Sequence, residues 1–202
     1  MTERFGPRSP GDARALIEAF PLAWVVSVDA SGEALSSQLP LLPLSADGGE
    51  VTALLGHMAR GNPLVARLRA LPRAAVLFQG PDAYASPSWY ANRDSAPTWL
   101  YANVACTVDI ALREDLTDYA LERLVERMER DRPARWNLAE IGHRYHRLQP
   151  HVIGFVATIR QLQPRFKLAQ DETPGVVGNT IDALGSHPIV PWLRAFNAER
   201  ME

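Results

Sequence analysis

The stretch GHMARGNP, residues 56–63, delivers an imidazole (His57), a guanidinium (Arg60) and a carboxamide (Asn62) within six residues. Pro63 marks a helix start, with Asn62 as its cap. A cation just ahead of helix amides suits an anion, because a guanidinium makes paired hydrogen bonds to phosphate oxygens and the helix N-terminus adds to the field. The same residues would also serve as an ordinary turn with a capping Asn and a solvated Arg. A second cation stands out by type: of 21 Lys plus Arg, Lys167 is the only lysine, a compact ammonium among planar guanidinium groups. Residues 78–106, FQGPDAYASPSWYANRDSAPTWLYANVAC, hold Tyr84, Trp89, Tyr90, Trp99 and Tyr101 but are broken by Pro81, Pro87 and Pro97. Proline prevents one continuous helix there. Cations for a phosphate and flat rings for a heterocycle point together to a phosphorylated planar cofactor.

Other chemistry is poorly represented. No GxGxxG, GxxxxGK[ST] or GxSxG occurs, so the usual sequence signals of a dinucleotide fold, a P-loop and a hydrolase elbow are missing. Glu140, His143 and His146 share three-residue spacing and resemble half of a carboxylate metal site, but they read equally as a polar helix face, and no metal is expected. Cys106 is the sole cysteine, which excludes an internal disulfide and suits a small buried hydrophobe. The formal net charge of −2 gives no general attraction to nucleic acid. No apolar run reaches the roughly 18 residues of a membrane span, and the N-terminus carries charges where a signal peptide needs an apolar stretch. A cytoplasmic protein with no membrane contact is expected.

The elements that must position these groups follow from periodicity. Ser9 caps and Pro10 starts a short helix with Leu16, Ile17 and Phe20 on one face. A meander of strands is predicted over 22–28, 33–44 and 50–56, with turns at Ala30-Ser31-Gly32 and at ADGG, residues 46–49. Pro40 and Pro43 push the second strand toward a sheet edge or bulge. A helix from Pro63, a strand over 73–80, an irregular proline-rich and serine-rich segment over 84–90 and a long strand over 97–112 come next. Helices over 114–132 and 137–148, a strand from His151 to about Gln170, and two short C-terminal helices complete the chain. This pattern gives an α+β fold, a mostly antiparallel barrel with peripheral helices. All 202 residues fit one domain, with a helical insertion at about 114–148 and a short helical C-terminus.

The ordered series SSQLPLL, GHMARGNP, VLFQGPDAYASPSWY, PTWLY and FKLAQ resembles the PaiB-like family of FMN-binding negative transcriptional regulators, over about residues 20–170. The resemblance implies a split β-barrel of the flavin-reductase and pyridoxamine-phosphate-oxidase type, a homodimer, and FMN sites near the subunit interface. Carried onto the matching segments, it implies cofactor contacts from Ser37; from His57, Arg60 and Asn62; from Gln79, Ser86 and Trp89; from Thr98, Trp99 and Tyr101; and from Lys167 and Gln170. Arg60 and Lys167 are expected to converge on the phosphate. Departures from the family pattern stand at Gln38, Leu100, Ala105, Ala169 and Asp171. Several of them replace polar groups with apolar or acidic ones, which predicts a site that binds FMN weakly, takes another ligand, or is lost.

Three functional readings follow. The first is an FMN-binding split-barrel dimer with a regulatory or redox-sensing role. The second is a flavin-dependent reductase or oxidase, and the third a flavin-free dimer acting through contacts with other macromolecules. No catalytic acid, base or nucleophile is identified by the sequence. Contact with DNA is implied only by the family resemblance, since the arginines after residue 122 are interleaved with acids. The exposed area of Trp89, Tyr90, Trp99 and Tyr101 predicts that a partner subunit covers part of the aromatic segment.

Overall fold

In the computed structural model, residues 3–44 and 50–201 are described. Six antiparallel strands close a barrel in the order β1-β2-β3-β6-β5-β4, with β1 Leu22–Val28, β2 Ala34–Leu44, β3 Ala53–Ala59, β4 Arg73–Ala85, β5 Thr98–Leu112 and β6 Val152–Lys167. β1 closes the ring by pairing with both β2 and β4. The second strand pairs with β1 only over residues 34–40 and with β3 only over 41–44, so each stretch keeps one unpaired edge, as its prolines predict. Its prolines are tolerated because β2 leaves β1 at the Pro40–Leu22 pair and takes up β3 from Leu41 onward. The ADGG turn lies outside the described residues, and β3 starts three residues later than periodicity suggests.

The helix α1, Pro10–Ala19, starts where Ser9 and Pro10 predict. The Asp12 carboxylate accepts hydrogen bonds from the backbone N–H groups of Arg8 and Ser9, satisfying donors that a helix start leaves open. Leu16 and Ile17 are fully buried. Gly80 lets Leu16 approach β4: a Cβ there would stand 2.8 Å from the Ala102 carbonyl oxygen and 3.0 Å from Leu16 Cδ1.

The FQGPD motif is a barrel bulge. The β4–β5 register shifts between Gln79 and Asp82, so Gly80 and Pro81 fall where no ladder hydrogen bond is required of proline. The extra residue also flips the side-chain phase. Ala74, Val76 and Phe78 point inward before the bulge, and Ala83 and Ala85 point inward after it. Strand β4 thus runs on to Ala85, through part of the segment whose prolines and serines suggest irregular structure. Only Pro87–Trp89 forms a separate turn, a 3-10 helix capped by the Ser86 side chain. On β5, alternate residues from Leu100 to Ile110 are buried, and Cys106 among them is free. Burial pushes its thiol up to about 12. The native protein at pH 8 should therefore resist a thiol-specific chromogenic reagent and react only once unfolded, as a time course with and without denaturant will show.

Helix α2 is Pro63–Ala70. Between β5 and β6 come a 3-10 turn at Glu114–Leu116 and helix α3, Thr117–Glu129. The predicted continuous helix over 137–148 does not form. Asn137 caps as expected, accepting from Ala139 N, but it opens a 3-10 run, Leu138–Arg144, broken at Gly142, whose φ of 60° leaves the helical region. The single turn α4, Tyr145–Leu148, follows. The insertion docks on β6 through Gly154, which donates its N–H to buried Thr117 Oγ1 at 3.0 Å and accepts from Arg113 N at 2.7 Å. A Cβ at 154 would lie 2.9 Å from the Thr117 backbone. Because backbone cannot step aside as a side-chain tip can, Gly154→Ala should lower stability by about 1–3 kcal/mol in urea unfolding.

After β6, helices α5 Pro174–Leu184 and α6 Val190–Met201 pack over the end of the barrel. Phe166 stacks on Phe196 and Trp192, with ring centroids 4.6 and 5.9 Å apart. No described helix is long and apolar enough to cross a membrane.

Candidate functional site

The predicted site residues form two groups at different ends of the barrel. The first surrounds the N-terminus of α2. Asn62 Oδ1 caps the helix by accepting from Leu64 N at 3.0 Å, and Asn62 Nδ2 donates to Ser37 Oγ at 3.0 Å, so β2 and α2 present a shared amide and hydroxyl. His57, on β3 opposite Gly154, is half-buried, and burial holds its imidazole below the usual histidine range. It is a neutral donor and acceptor near pH 7. Arg60 follows β3 in the turn. Its guanidinium donates to the Pro150 carbonyl at 2.8 Å and pairs with Glu114 at 2.9 Å, tying the turn to the helical insertion.

The second group gathers where β4, β5 and β6 extend past the bulge. Tyr101 lies opposite both Asp82 and Lys167, and its hydroxyl accepts from Arg165 Nε at 2.9 Å. Lys167 Nζ donates to Thr98 Oγ1 at 2.5 Å. Trp99 and Tyr84 meet edge to face at 6.0 Å and are both about half exposed, a flat apolar surface of the kind that rings stack on. Gln79 reaches Asp82 at the bulge. Ser86 serves as the cap of the 3-10 turn, and Trp89 packs partly into the core. Thr98 and Lys167 line a cavity of about 350 Å³ together with Leu100, Ala169, Asp171 and Glu172, a volume in the range of small-molecule pockets.

Gln170 does not reach outward: its side-chain oxygen accepts from Leu168 N and its amide nitrogen donates to the Phe166 carbonyl. Those bonds hold the tight turn in which Ala169 takes a left-handed φ of 63°. Its side chain is thereby engaged in the fold. Within one chain Arg60 and Lys167 do not converge. Arg60 N bonds to the His151 carbonyl, just ahead of β6, while Lys167 ends that 16-residue strand, roughly 50 Å of extended chain at ~3.3 Å per residue. Among the described residues no cluster of three or more His, Cys, Asp or Glu could hold a metal ion.

Sequence reasoning also missed an exposed apolar face. Leu22, Trp24 and Val28 on β1 and Leu77 on β4 are all about half exposed, and Trp24 lies directly opposite Leu77. The signal was present in LAWVVSV, which is apolar on both faces of a strand whose period of two leaves one face outside the barrel.

A closed six-stranded antiparallel barrel with peripheral helices is the fold that this chain shares with flavin-binding split-barrel proteins. It superposes on a FAD and heme binding protein from Mycobacterium smegmatis with a TM-score of 0.61 at 16% identity, covering 80% of this chain and 72% of that one. A conserved hypothetical protein from Mycobacterium tuberculosis gives a TM-score of 0.58 at 10% identity, over 83% and 90% of the two chains. Residues 1–161 match the family described as "Putative FMN-binding domain", and the chain belongs to that family. It is also 32% identical over 134 residues to the protease synthase and sporulation protein PAI 2 of Bacillus subtilis (strain 168), across 65% of this chain. The match spans 64% of that relative's length. Lys167 and Gln170 lie beyond the residues matched to the family.

Proposed function

We propose that the protein is an FMN-binding homodimer in which each flavin site is built from both subunits and whose role is regulatory or redox-sensing. The observation that carries the reading is the family match across the barrel together with the division of the polar residues into two half-sites at opposite ends of β6. A two-fold dimer can bring one subunit's α2 end beside the other's Lys167 end, since both half-sites recur in each copy. The Leu22, Trp24 and Leu77 face supplies apolar surface for such an interface, with the Trp99–Tyr84 surface beside the flavin ring. In the shared site, Ser37, His57, Arg60 and Asn62 offer hydrogen bonds and charge on one side. Thr98, Lys167, Tyr101 and Trp99 offer a cation, hydroxyls and a ring face on the other. FMN would supply reversible electron uptake at the interface, where a change in flavin charge is felt by both subunits; such a change is the basis of the redox-sensing role.

The test combines two measurements on one preparation. Titration with FMN, followed by visible absorption and flavin fluorescence, should saturate at one flavin per chain, and sedimentation should show a dimer at micromolar concentration. A monomer in sedimentation overturns the shared site. A second reading, a dimer without flavin, is favoured by Asp171 and Glu172, whose carboxylates line the Lys167 cavity and would repel a phosphate. A dimer with no response to FMN would select it.

A further inference from the structure

A groove far simpler than the flavin half-sites lies between α1 and α3. It encloses about 110 Å³ and is lined by Arg14 and Glu18 of α1 and by Arg123, Glu126, Arg127 and Arg130 of the α3 end, over Leu42 and Pro43 of β2. Two of its arginines are neutralised locally: Arg14 pairs with Glu18 at 3.0 Å and Arg123 with Glu126 at 2.6 Å. The other two are not paired with any described carboxylate. Arg127 donates through Nη2 to the Glu18 carbonyl at 2.7 Å, which holds α3 against α1, and its Nε is buried with no hydrogen-bond partner. Arg130 lines the same groove from an exposed position just past the end of α3.

Arg127 Nε is shielded inside the α1–α3 contact, so what Arg127 brings to the groove is its charge. The Glu18 and Glu126 carboxylates are already held by their own arginines, so the groove keeps an excess of positive charge from Arg127 and Arg130. The guanidinium fork is matched to oxyanions. The volume sets the size of the anion. At about 110 Å³ the groove is small, which suits an anion of a few heavy atoms with any remainder in solvent.

We propose that this groove binds a phosphate-class oxyanion, held by Arg127 and Arg130, that clamps α3 of the helical insertion onto α1. The occupant is either inorganic phosphate or the terminal phosphoryl group of a small phosphomonoester whose remainder lies in solvent.

The test is thermal unfolding of the full chain with inorganic phosphate, with glycerol phosphate, and with sodium chloride at matched ionic strength, each with and without excess FMN. Phosphate should raise the melting temperature with a saturating dose response in the millimolar range that chloride does not reproduce and that FMN leaves in place. Arg130→Ala should weaken the apparent affinity at least tenfold. Arg127→Lys, which keeps the charge but loses the planar fork, should weaken it similarly and avoids the folding risk of Arg127→Ala. Tighter binding of glycerol phosphate assigns the terminal phosphoryl group, and tighter binding of inorganic phosphate assigns the free anion. Three results overturn the site: equal stabilisation by chloride, an unchanged response in Arg130→Ala, or a response that excess FMN abolishes. The last would place phosphate in the flavin site, and it leaves the flavin reading intact.

Discussion

Phe166→Ala should lower the stability of the protein by about 3–5 kcal/mol, the range for truncating a fully buried aromatic. For a chain of this size that is roughly 6–20 °C in melting temperature, at about 2–4 °C per kcal/mol. Phe166 is completely buried, and its ring is the surface on which Phe196 and Trp192 of α6 stack. Arg8 in turn sits over the Phe196 ring at 4.3 Å, so the N-terminal segment and α6 depend on one aromatic stack. The loss should also be local in a way that global unfolding does not report. Limited proteolysis of the variant well below its melting temperature should cut first between α5 and α6, because the helices lose their anchor while the barrel ladder remains. A melting temperature within a degree or two of wild type would show that α6 is held by other contacts.

The barrel was largely legible before any coordinates, for a physical reason. Strands such as 22–28 and 97–112 are runs rich in β-branched and aromatic residues bounded by proline, glycine or charged turns, a local signal. The cap residues Ser9, Asn62 and Asn137 marked three helical starts correctly, since the need for an acceptor at a helix start is local. What the sequence hid was non-local. The bulge at Gly80–Pro81 flips the phase of β4, and strand patterns alone do not locate a slip of one residue. Gly142 was read as part of a helix because glycine permits either conformation. Gln170, expected from the family resemblance to contact the cofactor, also closes a turn against Phe166 and Leu168 with its amide, a role that its type alone does not reveal. The largest difference concerns Arg60 and Lys167. Residue type made them natural partners for one phosphate, but the partnership depends on which ends of β3 and β6 meet, and β3 pairs with the beginning of β6, not its end.

That separation leads to a sharper prediction about the proposed flavin site. Arg60→Ala and Lys167→Ala should each weaken FMN binding by about 1.5–3 kcal/mol, the scale of hydrogen bonds to charged groups, or about one to two decades in dissociation constant. Riboflavin, lacking the phosphate, should bind nearly as well to both variants as to wild type. Arg60→Ala also removes the Glu114 pair, which is exposed on the Glu114 side and contributes little to stability, so the variant should fold. If each phosphate is held by Arg60 of one subunit and Lys167 of the other, the two variants must complement. A mixed dimer then has one site lacking both cations and one site with both restored. After unfolding and refolding an equal mixture, half the dimers are mixed, so about one quarter of all sites in a two-fold dimer should regain wild-type affinity, giving a biphasic titration. A single weak phase would mean that the two cations do not act on one phosphate across the interface. Equal losses for FMN and riboflavin would instead show that the substitutions damage ring binding or the fold.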